Sequence, residues 1–188
     1  MEAPDKTIKP YQPILATSFG ILFVSTASIF IRFAQAEASS IVIAASRLLI
    51  ASFVLIPIAL TVSREHLRQL SRGDWWKAGL SGLFLALHFA SWIQSLEFTT
   101  IASSVVLVTT TPLWVALLYP LILKENIHRA VIIGLIISVI GGVIVGLGNA
   151  CDLSQSGLNC QGQFLTGRAM TGNFLALFGA WMAAGYML

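Results

Sequence analysis

Charge is the scarcest property of this sequence. Only 10% of its residues are charged, whereas a typical soluble domain has about 25%. A soluble chain of 188 residues buries a core but still needs a polar surface around it. The 56% of residues that are hydrophobic fall instead into blocks of about 18 or more, the length that crosses a bilayer as a helix. The composition excludes a soluble globular domain and predicts an integral membrane protein.

Residues that carry chemistry are also rare within the apolar blocks. None of the blocks contains an aspartate, no HExxH motif occurs, and His88 is the only histidine inside one. A catalytic serine–histidine set, an aspartate pair or a zinc motif is therefore missing from the blocks, which predicts that the protein is not an enzyme and uses no cofactor. No basic patch exists outside short loops, so nucleic acid is not an expected partner. No charged ring or filter sequence favours a channel.

Cysteine occurs at two positions, Cys151 and Cys160, in the segment CDLSQSGLNC. Two cysteines without a nearby histidine make a weak metal site, and no metal is expected. The segment falls in a loop predicted to lie outside the cytoplasm, where disulfides persist. The sequence leaves open whether the two residues form a disulfide or remain free thiols.

Breaks between the apolar blocks place about six transmembrane helices, and the predicted fold class is an all-α integral membrane protein. Each block is close to the ~20 residues that cross ~30 Å of hydrocarbon at ~1.5 Å per residue. Lipid offers no partners to backbone groups, and no alternating pattern indicates a β-barrel. The predicted spans are Ile14–Phe33, Ile41–Val62, Ala78–Leu96, Ile101–Leu123, Ala130–Leu147 and Gly172–Leu188.

Lysine and arginine set the predicted orientation. Eight basic residues lie on one side of the membrane if the chain alternates: Lys6, Lys9, Arg64, Arg68, Arg72, Lys77, Lys124 and Arg129. The positive-inside rule places that side in the cytoplasm. We therefore expect a multi-pass protein of the plasma (inner) membrane with a cytoplasmic N-terminus.

Polar residues inside the spans follow helical spacing. His88, Trp92 and Ser95 share one face of the third span, and Thr110 lines up with Trp114 in the fourth. Stripes of this kind on several helices predict a water-accessible cavity between them. The alternative is that such side chains bond their own backbone or a neighbouring helix, which gains about 1 kcal/mol or less per bond.

The middle of the fourth span reads VVLVTTTPLWVALL, with three threonines and a proline in an apolar run. Pro112 cannot donate a hydrogen bond to the carbonyl of Val108, so it predicts a kink. The hydroxyls of Thr109, Thr110 and Thr111 either occupy the disturbed carbonyls or face a cavity. A kinked, hydroxyl-lined helix suits a protein that rocks about the membrane midplane, and the alternative is a static kink used for packing.

Arg47 lies about six residues into the second span from its outer end. An arginine at mid-membrane costs on the order of 2.5–3.5 kcal/mol on insertion scales, so it usually faces protein or water. One hypothesis is that Arg47 binds an anionic or zwitterionic substrate at the outer mouth. The other is that it extends to the headgroups or pairs with Glu37. In the fifth span, the small-xxx-small pair Gly142 and Gly146 predicts a face for close helix packing.

Residues 88–148 resemble an EamA repeat of the drug/metabolite transporter superfamily. The resemblance rests on the segment LEFTTIASSVVLVTTTPLWVALL, the turn at Lys124-Glu125 and the glycine-rich span GLIISVIGGVIVGLG. Arg47 stands in the second span as in the family's pattern. The likeness extends over residues 14–148, one five-helix repeat. It implies a ten-helix fold of two inverted repeats, with substrate crossing between the halves.

The resemblance also implies a domain organisation. Residues 1–13 form a cytoplasmic N-terminal tail, residues 14–148 the first repeat and residues 149–171 an extracytoplasmic loop. Residues 172–188 are then the first helix of a second, truncated repeat. We expect a chain with one wall of the pathway incomplete to need the missing second half or a second copy in order to transport.

The function implied by the resemblance is transport of small metabolites by alternating access, either export or exchange. The substrates would be amino acids or related compounds, and the partners of the chain are the lipid bilayer and this small-molecule substrate. The alternative is a truncated, non-transporting membrane protein or assembly subunit. The residues expected along the substrate pathway are Arg47, His88, Trp92, Ser95, Thr110, Thr111, Pro112 and Trp114.

Overall fold

The protein is built of helices joined by short turns, with one β-hairpin near the end of the chain. The computed structural model describes residues 11–125, 127–154, 157–160 and 167–188. Most of the tail predicted for residues 1–13 lies outside them. The elements are α1 (Tyr11–Ala34), α2 (Ser40–Val62), α3 (Arg64–Gln69), α4 (Arg72–Phe98), α5 (Ile101–Val108), α6 (Thr111–Leu123), α7 (Arg129–Ala150), β1 (Cys151–Ser154), β2 (Gly157–Cys160) and α8 (Gly167–Met187).

Five segments of the described chain are helices long and apolar enough to cross a membrane. Large apolar side chains on them point away from the rest of the protein; Phe53, for example, is 83% exposed. Because apolar surface of this extent is incompatible with water, it identifies the face that contacts lipid. The all-α membrane fold is thus confirmed. The five segments are Pro13–Ala34, Ser40–Val62, Arg72–Phe98, Ile101–Leu123 and Arg129–Gly146.

The sixth predicted span corresponds to α8, which starts five residues earlier than predicted and is 21 residues long. This helix is not among the five segments of sufficient apolarity in the described chain. Its composition explains the difference, because α8 carries Arg168, Asn173 and many small residues. A row of small residues on α8 is buried against α4, α5 and α6: Gly172, Ala176, Gly179, Ala180, Ala183 and Ala184. In this structure one face of α8 packs against the other helices, while Phe174 and Met187 on it are exposed.

Hydroxyl side chains set the starts of α4 and α5. Ser71 precedes α4 and forms a reciprocal capping box with Asp74, in which the serine oxygen accepts from the Asp74 N–H at 3.2 Å. Thr100 precedes α5, and its oxygen accepts from the Ser103 N–H at 3.1 Å. Only Thr99 and Thr100 therefore separate α4 from α5, and the chain reverses direction across the bilayer within this short turn.

The packed core lies where α1, α2, α4 and α5 meet. Its buried residues are Ile31, Ile43, Ala44, Trp92, Ile93, Leu96 and Val108. Ile93 and Leu96 are completely buried. On α7, a Cβ added at Gly142 would lie 3.5 Å from the Val106 side chain of α5, whereas one at Gly146 would meet no atom within 4 Å. The predicted packing face of α7 is therefore seen at Gly142 and not at Gly146 in the described chain.

The β-hairpin follows α7 directly. Its strands are antiparallel, and the register pairs Cys151 with Cys160 and Ser154 with Gly157. Cys151 is disulfide-bonded, and the chain has only two cysteines. The side chain of Cys160 lies outside the described part of the structure.

Candidate functional site

Arg47 projects from α2 toward α4 and lies over aromatic rings. Its Cζ atom is 5.0 Å from the ring centroid of Phe89 and 5.9 Å from that of Trp92. The side chain is half-buried, whereas Glu37 is exposed. Within the described residues the Arg47 guanidinium has no ion pair, with Glu37 or with another carboxylate. The guanidinium is thus held by aromatic faces through cation–π attraction.

Trp92 forms the centre of this group. Its ring stacks on that of His88, with centroids 6.0 Å apart and an angle of 16° between the planes, and Phe89 packs at 6.3 Å. Trp92 is only 7% exposed, and its Nε1–H has no hydrogen-bond acceptor in the described chain. We call Arg47, His88, Phe89 and Trp92 the arginine–aromatic cluster.

His88 links the arginine–aromatic cluster to α8. Its Nδ1 lies 2.8 Å from the carbonyl oxygen of Gly179, and because a carbonyl only accepts, Nδ1 carries the proton. Gly179 permits this approach, since a Cβ there would lie 3.1 Å from the Ser91 hydroxyl and 3.5 Å from the His88 carbonyl. His88 therefore bonds a packed helix in this conformation, as the packing alternative described.

Other residues of the same α4 face also bond α8. The Ser81 hydroxyl donates to the carbonyl of Tyr186 at 3.3 Å, and the Thr99 hydroxyl donates to the Asn173 side-chain oxygen at 2.8 Å. With His88, these bonds are distributed along nearly the whole of α4. Of the predicted stripe, His88 thus lies at an α4–α8 interface, to which Ser81 and Thr99 also contribute.

Ser95 contacts α5 instead of α8. It is completely buried, and its hydroxyl donates to the Trp92 carbonyl at 2.6 Å. The Ser104 hydroxyl lies 2.6 Å from the Ser95 oxygen. Because Ser95 has already used its single proton, Ser104 is the donor of this second bond. Ser95 joins α4 to α5, and its hydroxyl reaches the arginine–aromatic cluster only at the backbone carbonyl of Trp92.

The fourth span is interrupted at the threonine block. Helix α5 ends at Val108 and α6 begins at Thr111, so the predicted kink is a two-residue interruption in which Thr109 and Thr110 keep right-handed backbone angles. The hydroxyls of Thr109, Thr110 and Thr111 donate to the carbonyls three residues earlier, at 3.0, 2.6 and 2.7 Å. The last of these carbonyls belongs to Val108, the group that Pro112 leaves without a backbone donor.

Trp114 and α8 complete the surroundings of the break. The Trp114 indole N–H donates to the Thr110 hydroxyl at 3.1 Å, and its ring meets that of Trp181 edge-on at 5.2 Å. Thr111 also approaches the Ala180 carbonyl at 3.4 Å, while Pro112 is exposed in the first turn of α6. We call Thr110, Thr111, Pro112 and Trp114 the break cluster.

The predicted pathway residues therefore fall into two clusters, and Ser95 contacts the first of them through the Trp92 backbone carbonyl. The arginine–aromatic cluster bonds the Gly179 carbonyl and the break cluster bonds the Ala180 carbonyl, so consecutive residues of α8 connect them. The spacing of residues along the sequence does not predict that α8 contacts both clusters, because the family resemblance assigns α8 to a different repeat.

A polar network at the end of α4 was missed by the sequence analysis. Ser40, the first residue of α2, donates its hydroxyl to a Glu97 carboxylate oxygen at 2.6 Å. Gln94 donates to the other oxygen at 2.7 Å, and the Gln35 amide donates to the Ser40 oxygen and to the Ile93 carbonyl, both at 2.8 Å. The available signal was the spacing of Gln94 and Glu97, one helical turn apart at the end of a span. Among the described residues no group of three or more histidine, cysteine or acidic side chains is placed to hold a metal ion.

The fold and these clusters define a class. Several membrane-length helices, one of them broken at its centre, surround polar groups that lie between helices and away from the lipid-facing surface. The molecule is a multi-pass membrane protein with the architecture of a carrier.

Residues 12–147 match the model of the EamA-like transporter family, and the chain belongs to that family. Comparisons with curated proteins and with solved structures gave no match. The family consists of transporters, which fits the expectation that the protein is not an enzyme. The protein is therefore a membrane transporter of the drug/metabolite type.

Proposed function

We propose that the protein moves small metabolites, amino acids or related compounds, across the plasma (inner) membrane by alternating access. The observation that carries this proposal is the interruption of the fourth span between Val108 and Thr111. Carriers typically bind substrate near the midplane, where discontinuous helices present backbone groups that a regular helix keeps occupied. Export or exchange is the direction that the family resemblance favours.

The break cluster has the chemistry that such a site requires. Its hydroxyls now satisfy carbonyls of α5, and a hydroxyl can exchange that bond for one with a substrate as the two helices reorient. Thr110 is half-buried between two partners, the Leu107 carbonyl and the Trp114 indole. The break thus supplies both a flexible point and polar groups beside it.

The contact of α8 with both clusters supports the proposal that α8 moves relative to α4 and α6 during transport. In alternating access one helical unit rocks against another around a fixed site. The bonds to the Gly179 and Ala180 carbonyls, at 2.8 and 3.4 Å, join neutral groups, and such interhelical bonds can be broken and remade at modest cost. We propose that the opposite wall comes from a further half of the transporter or from a second copy, with the N-terminus in the cytoplasm.

The test is uptake by protein purified in a mild detergent from the membranes of cells that produce it, so that a second half or a second copy stays bound, and reconstituted into liposomes. Labelled L-amino acids are supplied one at a time. We expect saturable uptake of at least one of them, and we expect Thr111→Val to slow it at least tenfold. Thr26→Val is the matched control, because Thr26 also bonds a carbonyl three residues earlier, at 3.0 Å, but in an uninterrupted and exposed part of α1.

Uptake that rises linearly with concentration for every amino acid, with no difference from empty liposomes, would contradict the proposal. Equal rates for Thr111→Val and Thr26→Val would leave transport in place and remove the break cluster from it. The family does not favour the alternative of a non-transporting membrane protein or assembly subunit.

A further inference from the structure

We propose that Arg47 and the Trp92 indole together bind the carboxylate group of the transported substrate. The inference rests on the proposed function and specifies the substrate's chemical class: a small molecule with one carboxylate. Three features of the arginine–aromatic cluster support it: within the described residues Arg47 has no counter-charge, the buried Trp92 N–H has no acceptor there, and the cluster contains one fixed positive charge.

The first feature is the missing counter-charge of Arg47. An arginine in the apolar part of a membrane protein normally pairs with a carboxylate or reaches water. Arg47 is half-buried and, within the described residues, lies over the Phe89 and Trp92 rings and forms no hydrogen bond or ion pair. A guanidinium held over aromatic faces keeps its N–H groups, which lie in its own plane, available to a ligand. A carboxylate matches that fork with two parallel hydrogen bonds.

The second feature is the Trp92 N–H. An indole nitrogen can only donate, and buried donors in folded proteins are nearly always paired. Trp92 is 7% exposed and its Nε1 has no acceptor in the described chain. A ligand oxygen would satisfy it. Because protein atoms enclose Nε1 in this conformation, that bond forms after α2 and α4 separate, in the substrate-loaded state.

The third feature is the charge of the cluster. Arg47 is its one fixed cation, and the Nδ1 proton of His88 is committed to the Gly179 carbonyl. One guanidinium balances the single charge of a carboxylate and pairs with its two oxygens through two parallel hydrogen bonds. The aromatic faces of Phe89 and Trp92 cover part of the half-buried guanidinium, and an attraction between charges is stronger beside such apolar surface than in bulk water. The chemistry therefore selects a monocarboxylate.

The test measures ligand binding to the purified protein in a neutral detergent, because a ligand of the folded state raises the melting temperature. The probes are the twenty common L-amino acids, used singly, together with the C-terminal amide of each acid that stabilises the protein. We expect at least one acid to raise the Tm and its amide to raise it at least tenfold less effectively, measured by the concentration that gives a half-maximal shift.

Two variants examine the proposed contacts separately. Trp92→Phe keeps an aromatic ring but removes the N–H donor together with part of the ring, and it is expected to weaken binding of that acid roughly tenfold or more. Arg47→Gln removes the charge and is expected to abolish the shift. Arg32→Gln and Trp75→Phe are the matched controls, because both residues are exposed at other positions, and both should bind as the unaltered protein does. If Arg47→Gln does not fold, Trp92→Phe alone decides.

Three results would overturn the inference: no stabilising acid, an amide as effective as its acid, or unchanged binding by Trp92→Phe. Phosphatidylglycerol added to the detergent tests whether the cluster binds a lipid headgroup instead of a substrate. Stabilisation by this lipid that Arg47→Gln removes, with no stabilisation by any acid, would assign the cluster to a headgroup and also overturn it. Saturable liposome uptake of a compound without a carboxylate would separate the two proposals, since it supports transport and contradicts this site.

Discussion

At the scale of single residues, Gly172 marks the tightest approach between two helices. A Cβ at this position would lie 2.8 Å from both the Cβ and the backbone nitrogen of Thr99, and 2.9 Å from the Phe98 carbonyl carbon. Two of these three atoms belong to the backbone, so the neighbour cannot rotate away as a flexible side chain would. The absence of a side chain at Gly172 thus brings Asn173 within hydrogen-bonding distance of Thr99, at 2.8 Å.

We therefore expect Gly172→Ala to lower the free energy of unfolding by about 1–3 kcal/mol, the usual result of overpacking. Gly141→Ala is the control, because a Cβ there meets nothing within 4 Å; its stability should be unchanged or higher by up to ~1 kcal/mol. Chemical unfolding in mixed micelles measures both. Equal stability of the two variants would mean that α8 does not approach α4 as described.

Several residue-level features were accessible from sequence and others were not. The face shared by His88, Trp92 and Ser95 follows from helical spacing, because 3.6 residues complete a turn. What that face contacts does not follow, since the Gly179 carbonyl is 91 positions from His88 and any helix carries such carbonyls. The Glu97 network was missed for a similar reason: its partner Ser40 is 57 positions away.

At the scale of secondary-structure elements, the broken fourth span has an internal compensation. Pro112 deprives the Val108 carbonyl of its backbone donor, and the Thr111 hydroxyl replaces that donor at 2.7 Å. Thr111 is buried, so neither water nor lipid headgroups can serve in its place. The two residues are coupled, because Pro112 leaves the Val108 carbonyl without a backbone donor and Thr111 supplies a side-chain donor to it.

This coupling predicts that, in a double-mutant cycle, the second substitution restores part of the stability that the first one removes. Thr111→Val should lower the free energy of unfolding by about 1–3 kcal/mol, because it leaves a buried carbonyl without a partner. Adding Pro112→Ala should recover part of that loss, since residue 112 then donates an N–H to Val108. Thr26→Val, in a helix without a break, should change stability by no more than about 0.5 kcal/mol. A double variant less stable than Thr111→Val would show that the hydroxyl does not act for the missing N–H.

The antiparallel packing of α4 and α8 also permits a direct geometric check. The Ser91 hydroxyl lies 3.1 Å from where a Gly179 Cβ would be, a separation suited to a disulfide. Ser91→Cys with Gly179→Cys should crosslink under mild oxidation, and Ser91→Cys with Gly185→Cys should not, because Gly185 lies beside Phe84, about two turns away along α4. Mass spectrometry of peptides identifies the bond. Efficient crosslinking of the second pair instead would shift the register of α8.

The elements themselves were largely predictable, because bilayer thickness imposes the length of each apolar block. The predicted second span, Ile41–Val62, differs from α2 by one residue. The break at Thr109 and Thr110 was predicted only as a kink, since a proline alone does not determine whether the helix continues. The short helix α3 and the hairpin after α7 lie in segments that the sequence predicts as loops, where apolar periodicity gives no signal.

At the scale of the whole molecule, the distribution of basic residues predicts a single orientation. Arg64, Arg68 and Arg72 flank or form α3, between α2 and α4, and Arg129 starts α7. The positive-inside rule places both regions in the cytoplasm and the hairpin that begins at Cys151 on the opposite side.

Labelling of single cysteines with a membrane-impermeant reagent measures this orientation in intact cells. With Cys151→Ser, the remaining Cys160 should react in intact cells. In a chain without other cysteines, Arg68→Cys should react only after the membrane is permeabilised. Protection at position 160 together with labelling at position 68 would reverse the assignment.

The distance along the chain between α4 and α8 also has a consequence for biosynthesis. His88 and its partner Gly179 are 91 residues apart, and ribosomes add about 5–20 residues per second. The α4 helix therefore emerges on the order of ten seconds before Gly179, whose carbonyl accepts the hydrogen bond of the His88 imidazole, has been synthesised. During that interval Ser81, His88 and Thr99 lack the partners that they have in the finished structure. We therefore expect α4 to stay in contact with water or with an insertion factor until α8 has been made.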